Sequence, residues 1–257
     1  MSGTAGPEHF ASFDGRSIAY AVFGRGPDVL LLHGFASDRV GNWVRPGIVD
    51  ALVATGRRVI AYDARGHGAS DKPHEVDAYE HDAMVRDAQA LLDLLAVGAV
   101  DVVGYSMGSI VASRLVVHAP RARSLVLGGV GGRLARGRTP EARARTAAAL
   151  EARGRARGQR PVDRAFRRFA ERNANDLEAL GAVQRAASAG TPGDVRSIRV
   201  PTLVVAGADD RLAGSPHELA ALIPGAEAVV VPGNHLTAVG PRLAAAITEF
   251  LARVSPT

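Results

Sequence analysis

Residues 100–115 read Val100-Asp101-Val102-Val103-Gly104-Tyr105-Ser106-Met107-Gly108-Ser109-Ile110-Val111-Ala112-Ser113-Arg114-Leu115. Val100 to Val103 is a short β-branched run of the kind buried on both faces of a parallel sheet, while Ile110, Val111, Ala112 and Leu115 are spaced for a helix. Between them, Gly104-Tyr105-Ser106-Met107-Gly108 has the form G-x-S-x-G. A turn this tight forces its serine into strained backbone angles and lifts the hydroxyl out of the sheet. The flanking glycines are needed because the strand and helix backbones converge where a side chain would clash. The helix begins at the serine, so its free N–H groups and dipole favour negative charge there.

Working outward, compact apolar runs recur at Val29 to Leu32, Arg58 to Tyr62, Ser124 to Leu127, Thr202 to Val205 and Ala226 to Val231. Phe10 to Phe23 alternates around Asp14-Gly15, which predicts an opening β-hairpin. Helix-length stretches separate the runs, notably Asp77 to Val97, with Met84, Ala88, Leu91, Leu92 and Leu95 on one face. Alternating strand and helix implies a doubly wound α/β sheet. One segment breaks the alternation: residues 131–196 hold helical, arginine-rich sequence without a buried-strand run. That segment reads as an inserted cap, divided into short helices by Gly154, Gly158, Pro161, Gly181, Gly190 and Pro192-Gly193.

At 257 residues, 47% hydrophobic and 22% charged, the chain falls in the ordinary globular range, and one α/β domain over 1–257 with an insertion is preferred to two domains. Cysteine is absent, which removes disulfides, thiolate metal sites and cysteine nucleophiles. No signal-peptide stretch or membrane-length run is present, so a soluble, cytoplasmic protein is expected. The net charge of +5 is carried almost wholly by arginine, Lys72 being the sole lysine. Between Arg133 and Arg172 stand 13 arginines against four acids, so the basicity is regional and the remaining chain is acidic overall. Apart from Phe166 and Phe169 that block lacks interleaved aromatics, and a solvated helical face is favoured over a nucleic-acid surface.

In open parallel sheets, reactive groups gather beyond the carboxyl ends of the strands. Ser106 stands at one such end and needs a base, itself oriented by a third group. His9, His74, His81, His118 and His217 have no strand end behind them, whereas His235 follows the last apolar run, in Val231-Pro232-Gly233-Asn234-His235. The orienting acid is sought after Thr202 to Val205, where Ala206-Gly207-Ala208-Asp209-Asp210 offers two candidates. Asp210 is favoured, with Asp209 assigned to turn capping. The loop after Leu127, Gly128 to Gly132, contains no carboxylate.

The order Ser106, Asp210, His235 on this strand sequence resembles the α/β-hydrolase fold, with Ser106 in its nucleophile elbow. The resemblance spans nearly the whole chain and implies a mostly parallel eight-stranded sheet, with the insertion after strand 6 in the usual lid position. His33-Gly34-Phe35 resembles the family's oxyanion loop, which implies that the N–H groups of Phe35 and Met107 hold a developing oxyanion. Asp63 to Ser70, in the pattern D-x-R-G-x-G-x-S, is similar to a mainly structural loop of the family, and His67 is accordingly left out of catalysis. The family's acid stands three residues after the strand-end glycine, and Gly207 plus three is Asp210.

The resemblance implies hydrolysis of a small-molecule carboxylic ester by Ser106, His235 and Asp210 through an acyl-enzyme, without metal or cofactor. Perhydrolase or haloperoxidase, carbon–carbon hydrolase, lactonase and acyltransferase activities use the same three residues, and a non-catalytic receptor is the reading from another class. An elbow serine excludes the epoxide and haloalkane hydrolases of the family, which use aspartate there. Gly34, Trp43 and Tyr105 are the expected substrate-binding residues near the site, and Leu134, Phe166, Phe169 and Leu177 those from the cap. The cap arginines would attract substrates bearing a carboxylate, an anionic polymer or a membrane surface, with simple solvation of the arginines the favoured reading. Oligomeric state is not legible.

Overall fold

β-branched and leucine-rich runs pair into one eight-stranded sheet in the computed structural model, which describes residues 6–118, 121–152, 160–186, 192 and 194–256. The strands are β1 (Glu8–Ala11), β2 (Ser17–Phe23), β3 (Asp28–Leu32), β4 (Arg58–Tyr62), β5 (Val100–Tyr105), β6 (Ala122–Gly128), β7 (Thr202–Gly207) and β8 (Glu227–Val231), in the order β1-β2-β4-β3-β5-β6-β7-β8. β1 and β2 form the expected hairpin and join β4 antiparallel; every pairing from β4 through β8 is parallel.

Side-chain alternation assigns each strand residue to one of two cores. Leu30, Leu32, Val102 and Leu127 pack on one face against helices α2 (Ala83–Leu94) and α3 (Met107–His118). Val29, Leu31, Val103 and Val205 pack on the other against α1 (Ile48–Ala54) and the last helix, α9 (Pro241–Val254). Burial on both faces explains why the central strands read as unbroken apolar runs. β8, at the sheet edge, leaves Val230 exposed.

The expected helix over Asp77–Val97 is divided. A 3-10 turn at Val76–Tyr79 ends at His81 and Asp82, which take left-handed φ values of 52° and 58°, and α2 starts only at Ala83. Asp82 is held in that bend by an ion pair to Arg114 of α3. The periodic face is the expected one, since Met84, Ala88, Leu91 and Leu92 are all buried. Its start is set by a contact distant in sequence.

Helices α4 (Gly132–Arg136), α5 (Pro140–Glu151), α6 (Pro161–Arg172) and α7 (Leu177–Arg185) follow β6, with no strand among the described residues of 131–196. Local chemistry sets their starts. Thr139 caps α5 by accepting from the Ala142 N–H at 3.2 Å, Asp176 caps α7 by accepting from Glu178 and Ala179 at 3.0 Å each, and prolines open α5 and α6. Gly154, Gly158, Gly190 and Gly193, expected as breaks, lie outside the described residues, as do Arg153, Arg155 and Arg157. Helix α8 (Pro216–Ala220) then connects β7 to β8.

A buried polar cluster ties the amino ends of the strands to the last helix. Asp101 at the start of β5 pairs with Arg57 at 2.9 Å and Arg123 at 2.8 Å, and accepts hydrogen bonds from Ser124 at 2.8 Å and Ser255 at 3.0 Å. Arg57 also donates to the carbonyls of Leu251 and Ser255, closing the end of α9. Removing one member of a buried pair leaves an uncompensated charge, so Asp101→Ala is expected to lose about 3–5 kcal/mol of stability. Urea unfolding followed by circular dichroism checks this, with Asp101→Asn expected between the variant and the wild type.

Candidate active site

Ser106 is the pivot between β5 and α3, at a φ of 53° in the left-handed region that L-residues seldom adopt. Its N–H donates to the Gly128 carbonyl at 2.8 Å, which locks the turn to β6. A Cβ on Gly104 would lie 2.4 Å from the Gly108 carbonyl oxygen, and one on Gly108 would lie 1.9 Å from that of Leu32. Both positions therefore require glycine, and the strain at Ser106 is sustained by backbones in direct contact on either side.

Two loops from the same sheet end reach this serine. His235, beyond β8, places Nε2 2.9 Å from the Ser106 hydroxyl and Nδ1 2.7 Å from Oδ2 of Asp210, beyond β7. A carboxylate can only accept, so Nδ1 carries the proton and Nε2 presents its lone pair to the serine O–H. Asp210 is buried, and its other oxygen accepts from the N–H groups of Leu212 and Ala213 at 3.0 Å each. The turn-capping role expected of Asp209 thus belongs to Asp210; Asp209 is exposed. Asn234 braces the His235 loop by accepting from Leu236 at 3.0 Å and Thr237 at 3.1 Å.

The loop after β3 brings Gly34 and Phe35 beside the serine. Asn42 accepts from the Gly34 N–H at 2.9 Å, and His33 donates from Nδ1 to the Gly34 carbonyl while accepting at Nε2 from Ala64. The amides of Phe35 and Met107 have no protein acceptor among the described residues. Asn173 and Asn175, between α6 and α7, both donate to the carbonyl of Ala36, at 3.0 and 2.9 Å. Phe166 meets Phe35 edge to face at 6.0 Å between ring centres.

Ser106 and His235 line two adjoining cavities. The larger, about 450 Å³, runs beneath α4 to α7 past Met107, Val130, Leu134 and Phe166; the smaller, about 200 Å³, is lined by Gly34, Tyr105, Phe166 and Phe169. Two expectations are corrected. Trp43 lies fully buried in the core with Leu31 and Ile48, because the helical turn Val40–Val44 directs it beneath the sheet, and it lines neither cavity. Leu177 packs against the other core instead. Tyr105 does line the smaller cavity, yet its hydroxyl is committed to the His235 carbonyl at 2.7 Å, so it holds the histidine loop as well.

Sequence reasoning missed Asn42, whose place beside Gly34 depends on a loop closing across eight residues. It also left open which cap arginines face inward: Arg133, Arg136, Arg138, Arg143 and Arg160 line the larger cavity. Among the described residues no cluster of histidines and acids could hold a metal ion, and no helix is long and apolar enough to cross a membrane.

A family model described as the alpha/beta hydrolase family matches residues 29–246. Among solved structures, a hydrolase from Pseudomonas aeruginosa is 29% identical, covering 97% of this chain and 99% of that one with a TM-score of 0.75. An esterase from Thermogutta terrifontis is 26% identical, with the same coverage of the two chains and a TM-score of 0.79. A putative non-heme chloroperoxidase from Synechocystis is 36% identical over 41% of this chain and 36% of that protein. Such sequence relatives are matched over less than half of their own length.

Beside the site, His67 is fully buried against His33 and Phe35, its Nδ1 donating to the Arg65 carbonyl at 3.1 Å. Burial, with His33 adding to it, holds its pKa down at about 3. The unfolded chain takes up this proton below about pH 6.5, so stability present above that pH is lost as pH falls toward the folded value. His67→Gln is therefore expected to show a smaller drop in urea midpoint between pH 7 and pH 4 than the wild type, and equal drops would contradict this assignment.

Proposed function

The chain belongs to the alpha/beta hydrolase family, and from that premise we propose that it is a serine hydrolase cleaving small carboxylic esters through an acyl-enzyme. The observation that carries this reading is the hydrogen-bonded line from Ser106 through His235 to Asp210, at 2.9 and 2.7 Å, opening on both cavities. A serine hydroxyl is inert near neutral pH unless its proton has somewhere to go.

In the proposed reaction, Oγ of Ser106 attacks the ester carbonyl carbon as its proton passes to Nε2 of His235. Asp210 holds the tautomer and stabilises the imidazolium. The carbonyl π electrons move to oxygen, where the Phe35 and Met107 amides receive the charge; each donor of this kind is worth roughly 10²–10³ in rate. Collapse expels the alcohol, which takes the proton from His235. Water then repeats the sequence: His235 removes its proton, the second tetrahedral state breaks the bond to Oγ, and Ser106 regains its hydrogen as the acid leaves. Helices α4 to α7 act as the lid over this chemistry, with acid and alcohol portions divided between the two cavities.

The likeness to a putative non-heme chloroperoxidase favours one second reading, in which hydrogen peroxide replaces water at the acyl-enzyme and a peracid leaves. Both readings share the first half-reaction. A fluorophosphonate probe is expected to label the wild type and not Ser106→Ala, and an unlabelled folded wild type would point to a binding protein instead. On 4-nitrophenyl acetate and butyrate, Ser106→Ala is expected to abolish the burst and Asp210→Asn to lower kcat by about 10⁴. Adding hydrogen peroxide and measuring peracid separates the two acceptors.

A further inference from the structure

The larger cavity carries an unusual charge. Arg138 and Arg143 both line it, and neither forms an ion pair with any carboxylate among the described residues. Arg138 donates to neutral groups: the Gln184 side chain at 2.6 Å, the Thr146 hydroxyl at 2.7 Å and the Ala142 carbonyl at 3.2 Å. Arg143 is only 8% exposed, and its one described partner is the carbonyl of Arg138 at 3.0 Å. Its Nε is buried without any hydrogen-bond partner. The one acid in the lining, Asp163, is already engaged by Arg160 at 3.0 Å and Thr146 at 2.9 Å.

An unpaired buried cation is costly, and structures keep one chiefly where something anionic completes it. Arg143 is that buried cation; Arg138 beside it is exposed overall, and desolvation of its guanidinium with Arg143 and Arg160 nearby lowers its pKa against the pull of Asp163, so it too gains from an incoming negative charge. Ser106 and His235 line the same cavity, together with apolar Ile110, Val130, Leu134 and Val183. One cavity of about 450 Å³ therefore holds a nucleophile, hydrocarbon side chains and guanidinium groups in its lining.

Resting on the esterase reading, we infer that the substrate is an ester carrying a carboxylate remote from the scissile bond, such as a hemiester of a linear dicarboxylic acid, with Arg138 and Arg143 receiving the carboxylate. A planar carboxylate suits guanidinium geometry, and the fork replaces the hydration shell it loses. Arg133 and Arg136, the latter paired only at 3.5 Å with exposed Glu218, line the same cavity and add to its positive field.

The test compares kcat/KM for the monomethyl esters of succinate, adipate and suberate with methyl butyrate, hexanoate and octanoate, in which methyl replaces the carboxylate. The wild type is expected to prefer the best hemiester over its neutral match by about tenfold or more, as for a hydrogen bond to a charged group. Arg143→Met is expected to collapse that ratio, Arg143→Lys to restore part of it, and added salt to lower it. Free adipate is expected to inhibit the wild type competitively, which needs no variant. A ratio at or below one in the wild type, or one unchanged in a folded Arg143→Met, would overturn the inference. Failure of the esterase reading looks different: no ester in either series is turned over and Ser106 resists the fluorophosphonate.

Discussion

Everything at this sheet end depends on one steric constraint: a serine held at left-handed φ between two backbones that touch. The Gly108 position abuts the Leu32 carbonyl and the Gly104 position abuts Gly108, so the chain can turn from β5 into α3 only by placing Ser106 where it stands. The helix amides come with it, because α3 begins at the next residue. Strain of this kind persists only when its surroundings over-determine it, and the Gly128 carbonyl and β3 do so from two sides. His235 and Asp210 need then only arrive from neighbouring strand ends, which the parallel order β5-β6-β7-β8 provides.

The charges are distributed in two opposite ways. At the amino ends of the strands, Asp101 is fully matched by Arg57, Arg123 and two hydroxyl groups. Arg65 is likewise buried and matched, bonded to Asp87 at 2.6 and 2.7 Å and to Asp14 at 2.9 Å. Within the helical insertion, by contrast, Arg138 and Arg143 meet carbonyls, an amide and a hydroxyl. In the first case each buried charge is answered by an opposite one; in the second the described partners of the guanidinium groups are neutral.

Most of the sheet is legible because burial on two faces writes itself as short apolar runs, and Arg58–Tyr62 even matches its strand end to end. Ser106, His235 and Asp210 are legible too, because each stands a few residues beyond the carboxyl end of such a run. What escapes depends on contacts between distant parts of the chain. The bend at His81 and Asp82 is stabilised from α3, and Trp43 looks like a pocket residue until the Val40–Val44 turn sends it inward. Asp209 and Asp210 are adjacent carboxylates, and only the folded loop shows that one of them both caps the turn and meets the histidine. The arginine block announces its charge, but helical composition alone does not say which guanidinium groups point at a cavity.

Asn173 and Asn175 grip the carbonyl of Ala36, itself at a φ of 58°, and Phe166 leans on Phe35. The helical cover and the amide beside the serine are therefore one mechanical unit. Grafting a foreign cover onto this sheet would remove both amide contacts to Ala36 and leave the loop beside Ser106 without that hold. Diversification of such scaffolds by exchange of their covers is thus constrained to replacements that carry their own clamp for that loop.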